Sequence, residues 1–141
     1  FHQLVWTDAS TNTYIEESGT MNIMFQIDGV LITPDEDHDT ILRGITKRSL
    51  IEVAKKWGVE IEERMITVKE VIDAAKNGTL QDAFGAGTAA TIAPIAMIGF
   101  EGEKYHLPPV ETRELSNRIK TFLADLKTGR VADEFGWNLT V

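Results

Sequence analysis

Hydrophobic and polar positions along the chain divide it into short strands and three helices. Leu4-Val5-Trp6 is a brief apolar run, expected as a strand that begins at Phe1 and stops at the turn-forming stretch Thr7 to Asn12. Tyr14 to Glu17 resumes an extended segment. Asn22 to Ile27 and Val30 to Thr33 flank Asp28-Gly29, the pair that most strongly signals a two-residue hairpin. Thr33-Pro34 ends that hairpin, and Asp35 to Thr40 is a polar, acidic loop. From Thr46 to Trp57 the apolar residues Leu50, Val53, Ala54 and Trp57 fall on one helical stripe, widened by Ile51. Lys55 and Lys56 suit the negative end of the helix dipole, and Gly58 is a natural stop.

Val59 to Arg64 alternates apolar and charged residues and is expected as a strand with one wet face. Thr67-Val68-Lys69-Glu70 has the form of a capping box, starting a second helix that ends at Asn77-Gly78. Ala83-Phe84 is expected as a short strand entering a turn over Gly85 to Ala90. Thr91 to Ile98 is mostly apolar and is expected as one strand buried on both faces. Glu101-Gly102 turns it into a hairpin that ends near His106, and Pro108-Pro109 breaks the chain. A long helix is expected from about Thr112 to Lys127, with Leu115, Ile119, Phe122, Leu123 and Leu126 inward and Gly129 as its cap. In the tail, Phe135, Trp137, Leu139 and Val141 alternate as a final strand or a docked arm would. Hairpins mixed with helices make the fold class α+β or mixed α/β rather than a regular doubly wound sheet.

Composition narrows the functional classes. The 141 residues, 43% of them hydrophobic, make one domain that can bury a core. No apolar run nears the ~20 residues that span a bilayer, and the opening residues lack the form of a signal peptide. With no cysteine there is no disulfide framework, thiolate metal site or cysteine nucleophile, which fits a cytoplasmic location. A net charge of −8, with no basic run longer than two residues, argues against nucleic acid as a partner. His2, His38 and His106 are scattered, and Asp35 to Asp39 lacks calcium-loop spacing, so no metal site is expected. The start at Phe1, without an initiating methionine, reads as a piece of a longer protein.

Three phrases carry candidate chemistry. In Tyr14-Ile15-Glu16-Glu17-Ser18-Gly19-Thr20-Met21-Asn22, adjacent strand residues face opposite ways, so only one of Glu16 and Glu17 is expected to face a pocket. From the residues alone, solvated strand positions are the plainer expectation for both, because charged residues are mostly exposed. In Ile41-Leu42-Arg43-Gly44-Ile45-Thr46, the first amides of a helix form a ready site for an anion, and Thr46 is either part of that site or a plain N-cap. In Gly85-Ala86-Gly87-Thr88-Ala89-Ala90, small residues let backbone amides approach an anion, or simply pack a tight turn.

The three phrases in this order resemble the C-terminal domain of branched-chain amino acid aminotransferases, in the fold-type IV (D-amino acid aminotransferase-like) group of pyridoxal-phosphate enzymes. The Asp28-Gly29 hairpin, the Thr33-Pro34 exit, the Gly58 stop and the Trp137-containing tail also fit, so the resemblance spans essentially the whole chain. Glu17-Ser18-Gly19-Thr20-Met21-Asn22 looks more like the branched-chain subgroup than like D-amino acid aminotransferases or aminodeoxychorismate lyase.

The resemblance implies that Glu17 faces the ring nitrogen of pyridoxal 5'-phosphate. It implies that Leu42, Ile45, Thr46 and Thr88 also bind the cofactor, and that Gly87, Thr88 and Ala89 meet the substrate carboxylate. The family usually has proline where Arg43 stands, so a looser phosphate cup is expected. The family's Schiff-base lysine matches none of the eight lysines and would lie in a missing N-terminal domain. The implied parent moves an amino group between leucine, isoleucine or valine and 2-oxoglutarate, acts on 2-oxo acids in reverse, and works as a homodimer. The chain by itself is expected to be inactive. The rival expectation is a folded, non-catalytic fragment that binds no cofactor.

Overall fold

A computed structural model describes residues 2–139; Phe1, expected at the start of the first strand, and Val141, expected in a final strand or docked arm, lie outside the described residues. The first half forms β1 (Val5–Thr7), β2 (Ile15–Ser18), β3 (Met21–Ile27), β4 (Val30–Thr33), α1 (Ile45–Lys56), β5 (Ile61–Glu63) and α2 (Val68–Asn77). The second half forms β6 (Leu80–Gly87), β7 (Thr91–Pro94), β8 (Met97–Phe100), β9 (Glu103–His106), a 3-10 turn at Val110–Thr112 and α3 (Glu114–Lys127).

β3 is the spine of a seven-stranded sheet. Along one edge it pairs with β6 from Asn22↔Ala86 to Ile27↔Leu80, and β6 continues to β7. The other edge is shared: β2 pairs near the start of β3 and β4 near its end. β1 extends the sheet beyond β2, and β5 lies parallel to β4. Where β2 and β4 part, the Ile23 carbonyl accepts a 2.8 Å bond from the buried Thr33 hydroxyl, so the fork leaves that carbonyl satisfied. The hairpin between β3 and β4 turns on Asp28 and Gly29, both at positive φ (53° and 82°), as a type I′ turn requires.

Helices cover both faces. On one face, Leu50, Val53 and Ala54 of α1 and Leu115, Ile119 and Leu123 of α3 pack on Met24, Phe84, Ala86 and Ile92. On the other, Val71 and Ala74 of α2 pack with Ile23, Phe25, Ile32 and Ala83. α2 begins as expected, with the Thr67 side chain accepting from the Glu70 N–H at 3.0 Å. The reciprocal half of the capping box does not form, because the Glu70 carboxylate pairs with Arg64 instead.

Three expectations need correction, and the tail takes one of its two expected forms. β6 is eight residues long, not a short strand at Ala83-Phe84, because Gly85 and Gly87 stay in the sheet and only Thr88 to Ala90 form the turn. Thr91 to Ile98 is two strands, and most of it is only partly buried. The Ile95 N–H still donates to the Ala83 carbonyl of β6 at 2.9 Å, but the Ile95 carbonyl accepts from the Arg113 guanidinium at 2.9 Å, and the chain leaves β6 there. β8 and β9 then form a separate hairpin beside α2. The last helix starts at Glu114, after the 3-10 turn. The described part of the tail is a docked arm without a strand: Phe135 stacks on Trp137 at 4.3 Å and meets Phe122 edge-on.

Candidate functional site

The sheet register lines up one row of residues across five strands. Trp6 pairs with Glu17, Glu17 with Asn22, Asn22 with Ala86, and Ala86 with Ile92. Directly paired residues share a face. Glu17 and Asn22 therefore lie on the face that α1 and α3 cover, at the end of the sheet where α1 begins.

The link between β4 and α1 returns to this row. The Glu17 carboxylate accepts the Leu42 N–H at 2.7 Å, through Oε1. The Asn22 carboxamide donates to the Leu42 carbonyl at 2.8 Å. The same carbonyl accepts the Gly44 N–H at 2.9 Å, which closes a γ-turn centred on Arg43. The loosening expected from Arg43 in place of proline is thus opposed by three hydrogen bonds on one residue. Among the described residues, Glu17 Oε2 has no hydrogen-bond partner.

α1 starts at Ile45, one residue before the expected Thr46, with Gly44 as N-cap. Among the described residues no side chain caps this end, and its first turn holds no acidic residue. The amides of Ile45 and Thr46 therefore keep the positive, unpaired character of a helix start. Leu42 and Ile45 are 66% and 70% exposed, unusually open for large aliphatic residues beside buried polar groups.

Glu16 departs from the expected alternation. Thr7 pairs with Ile15 while Trp6 pairs with Glu17, so Glu16 is the extra residue of a β-bulge. Its carboxylate accepts the Thr40 hydroxyl at 2.8 Å. Both glutamates thus hydrogen-bond the link before α1, although plain alternation sets adjacent side chains on opposite faces. The bulge re-aims Glu16, which plain strand alternation does not anticipate.

The third phrase is joined to the others through the sheet. Ala86 lies beside Asn22, and the Met21 side chain lies against Gly85 and Gly87. A Cβ on either glycine would come within 2.9–3.0 Å of Met21 carbon atoms, so both glycines make room for that methionine. Thr88 and Ala89 sit in the exposed turn after β6. They form no hydrogen bond to Glu17 or to the start of α1 among the described residues. Asn22 was quoted in the sequence only as part of a phrase. An asparagine between the apolar Met21 and Ile23 on a buried strand was the available signal, because a buried carboxamide needs partners.

Over residues 4–98 the chain matches the protein family described as amino-transferase class IV. The chain belongs to that family. A branched-chain-amino-acid aminotransferase 2 of Bacillus subtilis (strain 168) is 42% identical over 141 residues, all of this chain and 39% of that protein. The chain thus spans about two-fifths of the length of the curated relatives it matches. Among solved structures, a branched-chain amino acid aminotransferase from Escherichia coli superimposes with a TM-score of 0.77 at 28% identity, covering 96% of this chain and 41% of that one. A branched-chain amino acid aminotransferase of T. thermophilus, solved with pyridoxamine 5'-phosphate, gives 0.73 at 26% identity, with the same coverage. The class IV fold expected from the three phrases is the fold observed, and the matched region holds Glu17, Leu42, Ile45, Thr46 and the Gly87 to Ala89 turn.

Proposed function

We propose that the chain is the C-terminal, cofactor-binding domain of a two-domain branched-chain amino acid aminotransferase. The observation that carries this reading is the hydrogen bond from the Leu42 N–H to Glu17, beside a helix start free of side-chain caps and acidic residues. That donor set fits pyridoxal 5'-phosphate. A carboxylate with one oxygen tethered and one unengaged suits a protonated ring nitrogen. The amides of Ile45 and Thr46 suit a phosphate. The exposed Leu42 and Ile45 side chains offer an apolar seat for a flat ring.

When bound, the cofactor supplies the electron sink on which amino transfer depends. Glu17 keeps a proton at the ring nitrogen, and its tether to Leu42 fixes where that proton sits. Ile45, Thr46 and Thr88 hold the phosphate, and Gly87, Thr88 and Ala89 offer backbone groups to the substrate carboxylate. The lysine that binds the cofactor covalently comes from residues beyond these 141. Lys47, the lysine nearest the helix start in sequence, is buried with its amine on the Pro34 carbonyl. Amino transfer runs between leucine, isoleucine or valine and 2-oxoglutarate, in a cytoplasmic homodimer; the B. subtilis relative, alike along the whole chain, supports this substrate class.

The test is an assay of the longer protein that carries this chain, beside the 141-residue chain by itself. The longer protein is expected to convert leucine with 2-oxoglutarate, and the chain alone to be inactive. Failure of the longer protein to use any branched-chain amino acid would overturn the substrate assignment. Transfer by the chain alone would overturn its role as one part of a composite site.

A further inference from the structure

We infer that Asn22 is a positioning residue that locks Glu17 and the start of α1 into one frame, and that Gly44 is glycine to admit it. Asn22 is buried and sits directly opposite Glu17 on the neighbouring strand. Between them they hold both polar groups of Leu42: Glu17 takes its N–H at 2.7 Å and Asn22 its carbonyl at 2.8 Å. One cross-strand pair thus grips the residue two places before Gly44, the N-cap of α1.

Gly44 completes the lock. Its backbone, at φ −72° and ψ 125°, is one that any L-residue adopts, so conformational freedom does not explain the glycine. Space does. A Cβ at this position would stand 2.0 Å from Asn22 Oδ1 and 3.2 Å from its Cγ. The carboxamide lies against the bare Cα with its donor end on Leu42. Any larger residue at position 44 must expel Asn22, and with it the tie between β3 and the link before α1. The glycine is therefore set by a protein side chain, before any anion is considered.

The consequence for the site is geometric. The carboxylate of Glu17 and the amides of Ile45 and Thr46 come from elements far apart in sequence. Asn22 and the Leu42 peptide between them fix their separation. That such spacing serves a cofactor rests on the function proposed above; the lock itself does not.

The experiment is a double-substitution cycle on the 141-residue chain, read by amide hydrogen exchange at Leu42 and Gly44 and by the denaturant midpoint. Gly44→Ala in the native background should speed exchange at both amides about tenfold, the worth of one or two lost hydrogen bonds, and lower the midpoint. In the Asn22→Ala background the same change should add nothing. Asn22→Asp keeps the bulk against Gly44 but loses the donor, so Leu42 should loosen while Gly44→Ala stays harmful; this arm carries the test if Asn22→Ala does not fold. Equal damage by Gly44→Ala with and without the Asn22 side chain would overturn the lock. So would native exchange at Leu42 in both Asn22 variants. Cofactor titration of the longer protein separates the two ideas. Binding together with an Asn22-independent Leu42 sinks only the lock. A working lock in a protein that binds no pyridoxal phosphate sinks only the function.

Discussion

Two adjacent glutamates reach the same stretch of chain, and their roles divide at the level of single atoms. Glu17 lies in register opposite Asn22 and holds a backbone N–H, whereas Glu16 is the bulged residue and holds the Thr40 hydroxyl. In the longer protein, Glu17→Gln should therefore lower the rate of amino transfer by about a hundredfold or more, the usual scale for losing one preorganised electrostatic partner, while leaving the cofactor bound. Glu16→Gln should change it by less than about tenfold, because an exposed hydroxyl contact is easily replaced by water. Steady-state rates together with the visible spectrum of each variant decide the matter; the reverse pattern would transfer the role to Glu16. The sequence pointed to Glu17 through a resemblance, since alternation alone could not choose between the two. The bulge was invisible because it depends on how β1 pairs with β2, and no residue type marks that register. Asn22 was overlooked because its partner, the Leu42 carbonyl, is twenty residues away.

Elements were most legible where a local signal acts alone. The type I′ turn at Asp28-Gly29 and the Thr67 cap of α2 needed no tertiary information. Thr67→Ala should accordingly destabilise the fold by about 1 kcal/mol, measured as a shift in denaturant midpoint at unchanged slope. Legibility failed where tertiary pairing overrides composition. Gly85 and Gly87 read as turn residues, yet β3 and β7 hold Gly85 in the sheet and β7 holds Gly87, with Met21 against both. Thr91 to Ile98 read as one strand, yet Pro94 and the Arg113 contact divide it.

The turn before β2 carries a pH dependence. Asp8 takes the N–H groups of Thr11, Thr13 and Tyr14 and the hydroxyls of Ser10 and Thr11. The Tyr14 N–H above all, followed by the Thr11 hydroxyl, holds this carboxyl well below the usual carboxylate range. A depressed folded-state value means that the stabilisation is complete above the ordinary carboxylate pKa, near 4, and is lost as pH falls below it. Stability should decline on acidification from about pH 5 toward about pH 2, and Asp8→Asn should flatten that limb of the profile. A variant with an unchanged acid limb would show that other carboxylates set it.

At the scale of the molecule, β3 and β6 separate two hydrophobic clusters, one under α1 and α3 and one under α2. Arg113 joins the segments around them. Its buried guanidinium donates to Asp82 Oδ1 at 3.1 Å and to the carbonyls of Ile95 at 2.9 Å and Pro108 at 2.8 Å. One side chain thereby ties β6, the break between β7 and β8, and the approach to α3. Both members of the ion pair are almost fully buried, so their mutual attraction is offset by the cost of taking two charges out of water. The intact pair adds little net stability, but losing one member alone is costly. Arg113→Met would strand a buried carboxylate and should cost about 3–5 kcal/mol. Removing Asp82 as well, in Arg113→Met/Asp82→Leu, abolishes the uncompensated charge, and the double variant should recover a large part of that loss. The remainder of the loss then reports the Ile95 and Pro108 carbonyl bonds, which no aliphatic side chain can replace. Denaturant unfolding of the single and double variants measures both parts. If the double variant is as unstable as the sum of the two singles, charge burial is not the governing factor. The carbonyl bonds at the β7–β8 break would then hold the two halves of the domain together.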